Sequence, residues 1–141
     1  MNNRLKNFIY FSATSIAIVS GIANAQSSPQ PDWVFVTAAE NTSISIDKTS
    51  LKRNGDIVTA WESVVDKKEK KSTRMLTEYN CKTNQARALS ATVYPNMEFS
   101  GRPFTYPPQK DWSYVVRESL GEDLIKYACK NAPKGLMDYF K

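Results

Sequence analysis

An export address precedes the only two cysteines of this chain, and that combination constrains the fold more than any other feature. Arg4 and Lys6 form a short basic start, residues 8–22 carry no charge, and Ala23-Asn24-Ala25 gives the small-x-small pattern that a signal peptidase reads. The uncharged stretch is diluted by Ser12, Thr14, Ser15, Ser20 and Gly21. It also falls short of the ~20 apolar residues a membrane-spanning helix needs. No cysteine lies near the cleavage point, which argues against a lipoprotein. The sequence therefore predicts a cleaved signal peptide over residues 1–25 and a flexible Ser- and Pro-containing lead-in over residues 26–32. A single domain over residues 33–141 follows.

In an oxidising compartment Cys81 and Cys129 are expected to form a disulfide. Closing a loop of that length stabilises a folded chain by roughly 4 kcal/mol through the entropy removed from the unfolded state. A reactive thiol is the alternative, but the chain has no His to activate one. The missing His also removes the commonest general base and metal ligand, and with two Cys it excludes the usual structural zinc sites. Loss of Arg4 and Lys6 with the signal peptide lowers the formal charge from +5 to +3. That mild excess is no nucleic-acid footprint, which shows a clustered basic face.

Along the mature chain the pattern is mostly that of strands. Trp33 to Thr37 is rich in β-branched and aromatic residues, and Ile44-Ser45-Ile46 alternates apolar with polar. Asp47 to Ser50 reads as a turn, and Asn54-Gly55 as a hairpin signal. Further strands are expected over Ile57 to Val65, Thr73 to Cys81 and Arg87 to Tyr94, the last with Leu89, Ala91 and Val93 on one face. Residues 95–108 hold four prolines and Gly101, so they cannot form a central strand. Trp112 to Val116 regains strand character. Ser119 followed by Glu122 is a capping box, and Leu124, Ile125, Ala128 and Cys129 make one helical stripe. Pro133 ends that helix, and Leu136 to Phe140 is expected to add a short terminal turn. The predicted class is α+β, an antiparallel sheet of about six strands with one C-terminal helix packed on it and one disulfide.

No constellation for catalysis is visible. Asp47 and Asp56 read as turn residues, and Glu122 and Asp123 sit where a helix dipole favours acids. No phosphate loop, calcium loop or serine elbow occurs. No catalytic residue, metal ligand or cofactor is therefore expected. Two features suggest a partner surface instead. One is the basic tip of Lys67, Lys68, Lys70 and Lys71 around Glu69, whose simpler explanation is a solvated turn that resists edge pairing. The other is the irregular segment with Met97, Phe99, Phe104 and Tyr106, with Arg102 and Lys110 expected to add charge beside the rings. Its aromatics are either anchors for a partner or a lid over the sheet.

The order of landmarks resembles the surface-adhesin protein E family of Gram-negative bacteria. Trp33 comes first, then Ile46-Asp47 with Ser50-Leu51, Trp61 on a strand, Ser72 and Glu78-Tyr79-Asn80-Cys81. Arg87 with Leu89-Ser90, Trp112, Ser119, Glu122 and Cys129 complete the series. Asn80 departs from the Asp usual there, Arg117-Glu118 replaces a Pro-Gly pair, and residues 95–108 match no family motif. The resemblance implies an exported envelope domain, periplasmic or on the cell surface, that binds other proteins, host extracellular-matrix or serum proteins among them. A homodimer is a further option, and no nucleic acid is expected. The other function considered is a periplasmic accessory or inhibitor protein with no host role. A net charge of +3 would not steer such a protein toward a basic hydrolase.

Overall fold

A run of antiparallel hairpins builds the molecule, and the computed structural model describes residues 28–135 of it. The expected signal peptide and terminal turn lie outside the described residues. Strands β1 (Trp33–Ala39) and β2 (Thr42–Asp47) form the first hairpin. A 3-10 turn over Lys48–Ser50 leads to the short β3 (Lys52–Asn54) and then to β4 (Ile57–Asp66), β5 (Lys71–Asn80) and β6 (Gln85–Tyr94). Two short strands follow, β7 (Phe104–Tyr106) and β8 (Ser113–Tyr114), before helix α1 (Leu120–Asn131). The strand order is β1-β2-β4-β5-β6-β7, with β3 beside β4 and β8 beside β6. The class expected from sequence holds, with eight strands rather than about six.

Local chemistry explains the turns. The Asp47 carboxylate accepts from the backbone N–H and hydroxyl of Thr49, so an Asx turn separates β2 from β3. Gly55 has φ +59°, the left-handed conformation that an Asn-Gly hairpin uses. β3 was absent from the sequence expectation because Lys52-Arg53-Asn54 has no apolar alternation. β7 was absent because its three residues lie between Pro103 and Pro107, and prolines confine such a strand to an edge. β8 shortens the strand expected over Trp112 to Val116 to two residues.

One face of the sheet holds the core. Val58, Ala60, Glu62 and Val64 of β4 alternate onto it, as do Ile44 and Ile46 of β2 and Tyr79 of β5. The helix lays Leu124, Ile125 and Ala128 against this face, with Leu51 and Ala132 also buried. Burying a side chain the size of Leu124 or Ile125 stabilises by roughly 1.5–3 kcal/mol. The expected face of β6 needs correction. A bulge opposite Leu76 and Thr77 pairs them with Ser90 and Ala88, so Leu89 is the extra residue and the alternation of Leu89, Ala91 and Val93 breaks there.

The helix is tied at both ends. Ser119 Oγ accepts from the Glu122 backbone N–H, and the Glu122 carboxylate accepts from the Glu118 N–H in return. That backbone bond, helped by Lys126, holds the Glu122 carboxyl below the usual carboxylate range. Thr37 of β1 donates its hydroxyl to Asp123 at 2.6 Å. At the far end Cys129 is bonded to Cys81, 48 positions earlier, just past the end of β5. Arg53 donates to the Cys129 carbonyl, one of the acceptors a helix C-terminus leaves open.

Candidate functional site

β7 presents its aromatics outward. Phe104 and Tyr106 are 62% and 53% exposed and meet edge-to-face with ring centroids 4.8 Å apart. Between them Thr105 turns to the other face, its hydroxyl 2.9 Å from that of Thr92. Phe104 lies opposite Val93 and Tyr106 opposite Ala91, so both rings stand on the helix side of the sheet, at an edge the helix does not cover. They are not a lid.

The basic tip reaches the same end of the sheet. Asp66 orders its turn by accepting from the N–H groups of Lys68 and Glu69, and Lys67, Lys68, Lys70 and Lys71 are exposed. Ser72 pairs with Tyr94 and donates to the Asn96 carbonyl, fixing the loop after β6 beside the tip. The Asn96 side chain organises that loop: its Oδ1 accepts from the N–H groups of Glu98 and Ser100, and its Nδ2 donates back to Ser100. Gly101, at φ +83°, is required there, since a Cβ would come within 3.0 Å of Pro95. Arg102 is exposed on this loop. Lys110 lies in the segment between β7 and β8, where its carbonyl accepts from Arg87 of β6. Arg87 also pairs with Glu78 at 2.7 Å and covers the Trp112 ring.

The face away from the helix carries a second arrangement that the sequence did not announce. Across it runs the register Phe35, Ser45, Ser63, Arg74, Thr92, Thr105. The two serines leave a low floor between the outer strand and Arg74, and Trp33 leans over it. The Arg74 guanidinium carbon sits 4.0 Å from the Trp33 ring centre and 3.9 Å from that of Phe99. Both rings therefore stand over the planar group and cover it between them. Phe99 takes the covering role that sequence left open for Phe99 and Phe104, and it does so at φ +55°, an uncommon backbone state for a bulky residue. Tyr94 packs edge-on against Phe99 at 5.9 Å. Pro31, Trp33, Asp47, Trp61, Arg74, Thr92 and Tyr94 enclose a pocket of about 430 Å³. A second hollow of about 480 Å³ lies across Trp61, between Ser28, Lys52 and Leu76.

Beneath the helix, Glu62 is only 1% exposed. Tyr79 donates its hydroxyl to one carboxylate oxygen. Burial pushes both groups above their usual pKa. The other carboxylate oxygen and the Thr77 hydroxyl are buried without a regular hydrogen bond. A protonated Glu62 suits this site, because its O–H could turn to Thr77. The pair is sealed from solvent, so it is a structural element and offers no substrate access.

Sequence reasoning found the disulfide and the lysine-bearing turn, and left the rings open between anchor and lid. It missed the pocket, whose residues come from five strands and a loop, and it missed Glu62. The period of two in Val58, Ala60, Glu62 and Val64 was the available signal for Glu62. Among the described residues no group of His, Cys, Asp or Glu could hold a metal ion, and no helix is long and apolar enough to cross a membrane. No curated protein and no solved structure matches the chain. The family model for surface-adhesin protein E matches residues 33–130. The match runs from the first strand to the helix that carries the second disulfide cysteine, and the chain therefore belongs to the surface-adhesin protein E family.

Proposed function

We propose that this is an exported, non-enzymatic protein of the cell envelope that binds other proteins from the outer surface, host extracellular-matrix or serum proteins among them. Family membership supports a surface adhesin. The single observation that carries the contact surface is the packed, outward-facing pair of Phe104 and Tyr106 on an edge strand. Rigid rings lose little entropy on binding, and aromatics with arginine are enriched at binding hot spots. Arg102 and the lysines of the basic tip surround that end of the sheet and would favour an acidic region of the partner.

The double substitution Phe104→Ala with Tyr106→Ala tests this. Because both rings are exposed, thermal unfolding should shift by no more than about 1 kcal/mol. Affinity for a protein ligand should fall at least tenfold, the scale of losing an aromatic anchor. A drop in stability of about 2 kcal/mol or more, with the affinity of the folded fraction intact, would instead mean that the rings serve packing. The assay is a binding isotherm and a melting curve on the same preparation.

A further inference from the structure

We propose that the pocket between Trp33, Trp61 and Arg74 is a binding site for a carboxylate carried on a flat apolar body. It is separate from the aromatic edge, lying on the opposite face of the sheet, and does not rest on that surface being the adhesive one. With the Trp33 and Phe99 rings both over the guanidinium, its N–H donors are the part left to bind a ligand. No hydrogen bond or ion pair to another described side chain uses those donors, and Nη1 is buried without a partner. Asp47, the nearest acid in the pocket, instead receives the N–H groups of Asp32 and Thr49 and the Thr49 hydroxyl. Asp47 attracts the cation without contacting it, so the guanidinium is preorganised with its donors unspent.

The complement to a planar fork of donors is a planar pair of acceptors in the same plane, which is a carboxylate. The remaining lining defines the rest of the ligand. Trp33, Trp61, Tyr94 and Pro31 provide flat apolar walls, and a volume of about 430 Å³ admits a ring-sized group. Two features show a site built at some cost to the protein. Phe99 adopts a left-handed backbone conformation in order to cover Arg74, and the Asn96 hydrogen bonds hold its loop in place. Arg74 is drawn partly out of water, a loss that an incoming anion would offset.

The three tryptophans make the test internal to one sample. Trp33 and Trp61 line the pocket, whereas Trp112 lies against Arg87. Phenylacetate and the isosteric phenylacetamide are titrated into the oxidised mature protein while the indole N–H signals are followed by NMR. The expected result is a saturable shift of Trp33 and Trp61 with phenylacetate, no comparable shift of Trp112, and at least tenfold weaker binding of the amide. Arg74→Gln should remove the preference for the acid while leaving the Trp112 signal in place. Should that variant fail to fold, Phe99→Ala, which uncovers part of the guanidinium, should weaken phenylacetate binding on its own. Equal affinity for acid and amide, equal shifts at all three indoles, or no saturable shift at all would overturn the proposal.

Discussion

Protein carrying Cys81→Ser is expected to melt roughly 15–25 °C below the oxidised wild type. The bond joins residues 48 positions apart, and opening that loop restores entropy to the unfolded chain worth about 4 kcal/mol. In a domain of about this size, each kcal/mol moves the melting temperature by about 4–6 °C. The contact that is lost also matters, since the bond fastens the C-terminal turn of the helix to the end of β5. Leu124, Ile125 and Ala128 would remain apolar and would still favour docking, so a weakened but cooperative fold is expected. Differential scanning calorimetry of wild type, Cys81→Ser and Cys129→Ser checks this. The two variants should melt together, because either one opens the same loop. A loss under about 5 °C would show that the helix is held mainly by its packing.

Replacing Glu62 with Gln is expected to raise stability above neutral pH, by on the order of 2 kcal/mol, the scale of a buried charge left without full compensation. Burial raises the carboxyl pKa in the folded state, so folding favours the protonated form. The stabilising contribution of Glu62 is therefore fully present below its unfolded value. It is lost as pH rises through the higher folded value. Wild type should consequently melt progressively lower from about pH 5 upward, until the folded carboxyl has ionised. Glu62→Gln keeps an acceptor for Tyr79 and supplies an N–H toward Thr77, so it should flatten that slope and match wild type near pH 5. Glu122 works in the opposite sense and below that range, because its depressed pKa adds stability that disappears as pH falls. Melting curves for both proteins across that range are the measurement. Parallel curves would mean that Glu62 is ionised in the fold throughout.

What could be read from the sequence divides along a physical line. The capping box at Ser119 and Glu122, the Asn54-Gly55 hairpin and the helical stripe each depend on residues within a few positions, and each formed as expected. The disulfide spans 48 positions, but export chemistry rather than geometry made it legible. The pocket could not be read in the same way. Trp33 reaches Arg74 only because register brings Ser45 and Ser63 between them, and a one-residue slip would turn every one of these side chains to the other face. The bulge at Leu89 shows how such a slip escapes a period-of-two reading. Phe99 and Phe104 lie five positions apart in one Pro-rich segment, yet one covers Arg74 and the other faces solvent. Their composition is the same; the Asn96 and Gly101 turn separates them.

The central claim, that this protein acts outside the cell envelope, is tested most directly on intact cells. An amine-reactive polymer too large to pass an outer-membrane pore should label the protein, because Lys67, Lys68, Lys70 and Lys71 are exposed at the tip. A known periplasmic protein in the same cells serves as the unlabelled control, and permeabilised cells show that the lysines react. Intact cells should be labelled at a level close to that after permeabilisation. Labelling that appears only once the outer membrane is opened would place the protein inside it and contradict the adhesive role.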